Sequence, residues 1–143
     1  MIKIGNNLSE WSAYSCQPKT RSELKEIIKD RISKKGPNCD LNDIDVSLIT
    51  DMSGLFYVSK FTGDISDWDV SNVKTMKSMF SYSEFNQDIS KWNTLKVEDM
   101  SYMFENSKFN QDISKWKINK DCDTTYMFYS CPIKEEFKPK ALR

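Results

Sequence analysis

Apolar residues recur along this chain at a constant interval of 24 residues. Three series show the interval most clearly: Phe56, Phe80, Phe104 and Phe128; Trp68, Trp92 and Trp116; and Met52, Met76 and Met100. The octapeptide FNQDISKW also stands twice, at 85–92 and at 109–116. A period of this length predicts a stack of similar units, because one unit alone cannot bury its own apolar side.

Within one unit, the apolar spacing predicts two different elements. Ile65, Trp68 and Val70 match the pattern L-x-x-L-x-L, which is the strand segment of a leucine-rich repeat. The second half, 73–80, has apolar residues three apart, as in a short helix or a 3₁₀ turn. The sequence therefore predicts an α/β solenoid: a short leucine-rich-repeat-like array of 24-residue coils with a parallel sheet. Its strands are expected near 42–46, 66–70, 90–94 and 114–118, with identical residues of neighbouring coils stacked.

The length of 143 residues fits one domain with three parts. Residues 1–39 form an N-terminal segment with a capping helix near 21–35, residues 40–130 form the repeats in about four coils, and residues 131–143 form a C-terminal cap. Thr20 and Glu23 predict a capping box at the start of the helix. Ahead of it we expect a short strand at 2–4 and packing of Trp11 and Tyr14.

The pattern FNQDISKWNxxxVxDMSYMF resembles the repeat of the BspA-like (bacterial surface protein A-like) leucine-rich-repeat family, in the form found in mycoplasma lipoproteins. The resemblance covers about residues 40–130. It implies a leucine-rich-repeat-like fold and a binding role, often at a cell surface. The family's members are usually long and exported, whereas this chain is short and its first residues do not resemble an export signal.

The residues that flank the central apolar position of each predicted strand should point outward, because side chains alternate along a strand. We predict that they form a concave partner-binding face. Its residues are acidic in the first two coils and mostly basic in the last two: Asp43, Asp45, Asp67, Asp69, Lys91, Asn93, Lys115 and Lys117. Tyr82 and Tyr102 are expected on the opposite, convex side. Asp64, Asp88 and Asp112, just before each strand, are expected to bind turn amides.

These patterns allow other interpretations. The acidic cluster could hold Ca²⁺, which needs six or more oxygen ligands, but no dedicated aspartate-glycine loop is present. The tryptophans and methionines could form a sugar-stacking or metal-binding platform, but their register with isoleucine and phenylalanine favours a core position. The four cysteines, Cys16, Cys39, Cys122 and Cys131, are expected as free thiols, with a Cys122–Cys131 or Cys16–Cys39 disulfide as the alternative.

The composition points away from catalysis. The chain has no histidine, and its four glycines form no phosphate-binding loop. We therefore expect a protein that is not an enzyme and needs no cofactor or metal. Lysine plus arginine and aspartate plus glutamate both number 21, so no nucleic-acid partner is expected. No apolar run is long enough to span a membrane.

The expected function is a non-catalytic protein–protein interaction module, which would suit an inhibitor or adaptor from a phage or mobile element. The alternative is a structural or adhesive bacterial surface protein, as the family resemblance implies. No secretion signal is recognisable at the N-terminus, which favours a cytoplasmic location, with the cell surface second.

Overall fold

The computed structural model describes residues 14–143, and their one α-helix is α1 (Arg21–Lys35). The backbone N–H of Glu23 donates to Thr20 Oγ1 at 3.2 Å, and the Glu23 carboxylate accepts from Lys19 N at 2.9 Å. The helix ends at Gly36, whose φ is 91° and whose N–H donates to Ile32 O. The predicted helix is therefore confirmed. The expected strand at 2–4 and Trp11 lie outside the described residues.

The predicted α/β solenoid with a parallel sheet is wrong. No residue between 14 and 143 lies in a β-strand, and two 3₁₀ turns, Glu135–Phe137 and Lys140–Leu142, are the only other regular elements there. The chain pairs through four isolated parallel bridges: Cys16–Ile44, Asp51–Thr75, Thr75–Asp99 and Asp99–Asp123. Three of the four lie in the half of the unit that was predicted to be helical. The leucine-rich-repeat solenoid is therefore overturned together with the sheet.

The segments predicted to be strands are β-turns. Trp68 N donates to Ile65 O at 3.2 Å, and Trp92 N donates to Ile89 O at the same distance. A turn of this kind also points residues three apart to the same side, so the spacing could not separate it from a strand. The Asp64 carboxylate accepts from Ser66 N at 2.8 Å. Asp88 and Asp112 do the same for Ser90 and Ser114, so the predicted turn-binding role of these aspartates is confirmed.

The other half of each unit forms what we call a ladder segment, at 51–58, 75–82, 99–106 and 123–130. Inside a ladder segment the chain turns repeatedly: Met79 N donates to Met76 O at 3.1 Å, and Ser81 N donates to Ser78 O at 3.2 Å. Each segment has two residues with positive φ, in the pairs Gly54 and Val58, Ser78 and Tyr82, Tyr102 and Asn106, and Tyr126 and Ser130. Such a backbone is neither an extended strand nor a helix.

Identical aromatic residues of neighbouring units stack in the core, as predicted. The tryptophan rings lie 6.5 and 6.3 Å apart and nearly parallel. The rings of Phe56, Phe80, Phe104 and Phe128 follow one another at 5.5, 5.5 and 5.8 Å. Leu24 and Ile28 of α1 belong to the same buried cluster, so the helix packs on the first unit. The 24-residue units therefore form a stack of layers whose core is continuous.

Candidate interaction surface

The first two predicted binding residues are engaged inside the molecule. Arg31 Nη1 of α1 donates to Asp43 Oδ1 at 2.8 Å, and the Ser15 hydroxyl donates to Asp43 Oδ2. The hydrogen bond from Arg31 is the main reason that the pKa of Asp43 falls to about 2. Asp45 accepts from Gln17 Nε2 at 2.8 Å. Because both carboxylates hold residues 15–31 against the first unit, they are poorly placed to bind a partner.

The next two acidic residues also have internal partners. Lys91 Nζ lies 3.0 Å from Asp67 Oδ1 of the preceding unit, and this hydrogen bond raises the pKa of Lys91. The Asp69 carboxylate accepts from Ser71 Oγ at 2.5 Å and from Ser71 N at 3.0 Å. These bonds lower the pKa of Asp69, with the hydroxyl contact as the larger cause. Asp69 is therefore a turn-capping residue that also reaches solvent.

The structure brings the last four predicted residues together. Lys91, Asn93, Lys115 and Lys117 line one shallow depression of about 250 Å³, and we call these four residues the lysine surface. Asn93 caps its own turn through Leu95 N at 3.1 Å. Neither Lys115 nor Lys117 forms an ion pair with any carboxylate of the described chain, and both are exposed. A second depression, lined by Asp88, Gln111, Asp112 and Lys115, adjoins the first. The pKa of Asp112 is lowered, mainly by its hydrogen bonds to Ser114 and also by the charge of Lys115.

The predicted concave face is therefore corrected in two respects. Since residues 14–143 contain no sheet, the candidate residues lie on turns and not on the outer side of strands. The expected change from acidic to basic also loses its acidic half, because those carboxylates bind Arg31, Gln17, Lys91 and Ser71. Asp67 nevertheless stays 65% exposed in its ion pair with Lys91, so both signs of charge remain at the surface.

Sequence analysis did not predict that five tyrosines would form clusters on the ladder segments. Tyr57 meets Tyr82 edge to face at 6.1 Å, Tyr102 lies 5.6 Å from Tyr126, and Tyr126 meets Tyr129 at 5.5 Å. Four of the rings are at least half exposed. The only signal in the sequence is that Tyr102 and Tyr126 each directly precede a buried methionine, which does not show whether the tyrosine ring is exposed.

The remaining titratable groups do not form a reactive or metal-binding set. The four cysteines are free thiols, and burial raises the pKa of Cys122 to about 11. Burial also raises the pKa of Cys39 and Cys131, so the reactive thiolate form is disfavoured at neutral pH. Over residues 14–143, no group of three or more cysteine, aspartate or glutamate side chains is placed to hold a metal ion. No helix in that range is long and apolar enough to cross a membrane.

Comparison with known proteins gives a family but no function. No curated protein and no solved structure matches the chain. The BspA-like resemblance is therefore not confirmed, although the mycoplasma connection is. One family model matches residues 23–139, which include α1 from Glu23 onward and all four ladder segments. On this match the chain belongs to the DUF285 family, described as a Mycoplasma protein of unknown function.

Proposed function

We propose that this protein is a non-catalytic protein-interaction module, and that its lysine surface binds an acidic segment of a partner protein. The observation that carries the proposal is the pair Lys115 and Lys117. Both side chains are exposed beside one depression, and neither forms an ion pair with a carboxylate of the described chain. In the preceding unit, Lys91 corresponds to Lys115 and Asn93 corresponds to Lys117. Lys91 already forms an ion pair with Asp67.

The rigidity of the stack supports this assignment. Trp92 and Trp116 are each flanked in the sequence by two residues of the lysine surface. Both tryptophans are buried, and their ring centroids lie 6.3 Å apart in a stack. Lys115 and Lys117 flank Trp116 in sequence, so their backbone is anchored to the core. A surface whose backbone is already ordered loses less conformational entropy when it binds. Charge complementarity would then act mainly on the association rate and would weaken as salt screens the charges.

The test is retention of a partner from cells of the source organism by the immobilised protein. We expect the double variant Lys115→Glu/Lys117→Glu to lose a protein that the wild type retains. The matched control is Lys60→Glu/Lys108→Glu, which changes the net charge equally at two exposed lysines elsewhere on the stack. This control should retain the same protein.

Two results would count against the proposal. One is equal loss of the partner in both double variants, which would indicate a response to net charge and not to the lysine surface. The other is retention that does not fall when the salt concentration rises, because screening must weaken an interaction between exposed charges.

A further inference from the structure

The layers are joined by a regular set of backbone hydrogen bonds. At the junction between the second and third ladder segments, four N–H groups on alternate residues donate to carbonyls 23 residues later. The pairs are Met76 to Asp99 at 2.8 Å, Ser78 to Ser101 at 3.0 Å, Phe80 to Met103 at 2.8 Å and Tyr82 to Glu105 at 2.9 Å. The other two junctions repeat the pattern. The donors are Met52, Gly54, Phe56 and Val58 at the first junction, and Met100, Tyr102, Phe104 and Asn106 at the third. Each ladder segment thus donates to the next.

The last ladder segment has the same donors without acceptors. The N–H groups of Thr124, Tyr126, Phe128 and Ser130 occupy the equivalent positions, and no acceptor in residues 14–143 binds them. Residues 133–142 do not accept from these four donors; their backbone pairs with the preceding unit instead, where Phe137 O accepts from Ile113 N at 3.0 Å. We call residues 123–130 the open edge.

The opposite end of the stack is closed. In the first ladder segment the carbonyls of Ser53 and Leu55 have no preceding unit to bind. Arg21 Nε of α1 donates to Ser53 O, and Lys25 Nζ donates to Leu55 O at 3.0 Å. Lys25 Nζ also reaches Gly54 O at 3.3 Å. Cationic side chains of α1 therefore occupy two of the four acceptors that a second copy would need, Ser53 O and Leu55 O, which disfavours head-to-tail association of identical chains.

We propose that the open edge binds a segment of another protein that takes the conformation of a further ladder segment. Such a segment offers backbone carbonyls on alternate residues, in the register that every earlier junction uses. Phe128 continues the phenylalanine stack, and Lys138 Nζ lies over its ring, 5.4 Å from the centroid. An aromatic residue that displaces this ammonium extends the same stack. Strand-like addition of a peptide to an unpaired edge is a known mode of recognition.

The conformation of the ladder restricts which segments fit. Gly54 has φ +59° and Val58 has φ +53°. Glycine reaches positive φ without steric cost, whereas a β-branched residue reaches it only with strain, which Val58 already carries and which a second valine at the position of Gly54 would increase. The most suitable probe is therefore an eight-residue peptide with the sequence of residues 51–58, DMSGLFYV. The matched control peptide has the same length and carbonyls but carries Gly54→Val.

The experiment measures amide hydrogen exchange by NMR on the full chain. In the free protein, the amides of Thr124, Tyr126, Phe128 and Ser130 should exchange fast, whereas the equivalent amides from Met100 to Asn106 should be protected. Addition of the DMSGLFYV peptide should slow exchange at the four edge amides, and the control peptide should bind more weakly. The proposal is overturned if the four amides are already protected in the free protein, or if millimolar peptide leaves their exchange unchanged.

A variant pair then tests the hydrogen bonds themselves. Thr124→Pro removes one N–H donor and keeps the carbonyl, whereas Thr124→Ala keeps both. Loss of one backbone hydrogen bond should weaken peptide binding about fivefold in Thr124→Pro relative to Thr124→Ala.

Lys115→Glu/Lys117→Glu should bind the peptide like the wild type, so failure of the proposed acidic partner and failure of the open edge can be told apart. Equal affinity of the two Thr124 variants would contradict donation by this amide, and the exchange experiment on the wild type does not depend on their folding.

Discussion

The indole Nε1 of Trp92 donates a hydrogen bond to the carbonyl oxygen of Ile65, in the preceding unit, at 3.1 Å. Trp68 and Trp116 make the same bond, to Leu41 O at 2.9 Å and to Ile89 O at 3.0 Å. Each tryptophan therefore does two things: its ring fills the core, and its one polar atom joins two layers. The indole bond is the second one for each of these carbonyls, which also accept from the backbone N–H three residues later in their own turn.

Trp92→Ala should lower the free energy of unfolding by about 3–5 kcal/mol, because it removes a buried ring that is stacked on both sides. Trp92→Phe keeps an aromatic ring but removes one of the two donors to Ile65 O, which still accepts from Trp68 N, and should cost about 1 kcal/mol. Urea denaturation followed by circular dichroism measures both. A loss below about 1 kcal/mol in Trp92→Ala would mean that the tryptophan stack does not stabilise the protein.

Gly63→Ala should be far more destabilising than Gly54→Ala. A Cβ at Gly63 would lie 1.8 Å from Cys39 O and 2.7 Å from the Phe61 ring, so backbone and core would have to move. The expected cost is at least about 2 kcal/mol. Gly54 has φ +59°, but its nearest neighbour would be Arg21 Nη2 at 3.5 Å, and the cost should be about 1 kcal/mol. Thermal denaturation of the two variants gives the order, and the reverse order would contradict this account.

The Arg31–Asp43 pair should make part of the stability depend on acid pH. The pKa of Asp43 falls from its ordinary value of 3.8 to about 2 in the folded protein. The pair therefore stabilises the fold above pH 3.8, and this contribution is lost as the pH falls from 3.8 towards 2. The shift corresponds to roughly 2.4 kcal/mol without screening, but the Asp43 side chain is 39% exposed, so we expect about 1 kcal/mol.

The measurement compares wild type with Asp43→Asn by urea denaturation at pH 6 and at pH 2. Because asparagine does not titrate, the difference in unfolding free energy between the two proteins should shrink at the lower pH. A difference that is the same at both pH values would show that the carboxylate charge of Asp43 contributes nothing.

Two neighbouring aspartates on the surface should behave differently. Asp69→Ala removes a turn cap that binds both the backbone and the hydroxyl of Ser71, and should cost about 1 kcal/mol. Asp67→Ala removes an ion pair whose two side chains are 65% and 68% exposed, and should leave the midpoint of urea unfolding unchanged. If Asp67→Ala is the more destabilising variant, the assignment of Asp69 as the structural residue of the two is wrong.

Removing the cations of α1 should cause self-association. Arg21→Ala/Lys25→Ala frees the carbonyls of Ser53 and Leu55, which then match two donors of the open edge of another copy. Sedimentation velocity should show concentration-dependent head-to-tail oligomers for this variant and not for the wild type. Adding Thr124→Pro should reverse the effect. Association of the double variant that persists with Thr124→Pro would indicate a contact other than the open edge.

The 24-residue period by itself determined the layers, their register and the residues of the core. Trp92 and Phe80 are buried because identical residues one period apart can bury each other, and this requires only that the units repeat. The sequence also determined α1, from Thr20 to Gly36, since helix caps depend on residues that are close along the chain. These inferences succeeded because they rest on local signals or on the period itself.

Tertiary structure alone decided between strand and turn. Apolar residues at positions such as Ile65 and Trp68 fit an L-x-x-L strand and a β-turn equally well, and the choice depends on hydrogen bonds to units 24 residues away. The tertiary structure also decided which charged side chains form ion pairs. Arg31 of α1 binds Asp43, and Lys91 binds Asp67 of the neighbouring layer. Lys115 and Lys117 form no ion pair in the described chain. Contacts between charges distant in sequence follow from the packing of layers and caps, which the pattern of apolar residues does not encode.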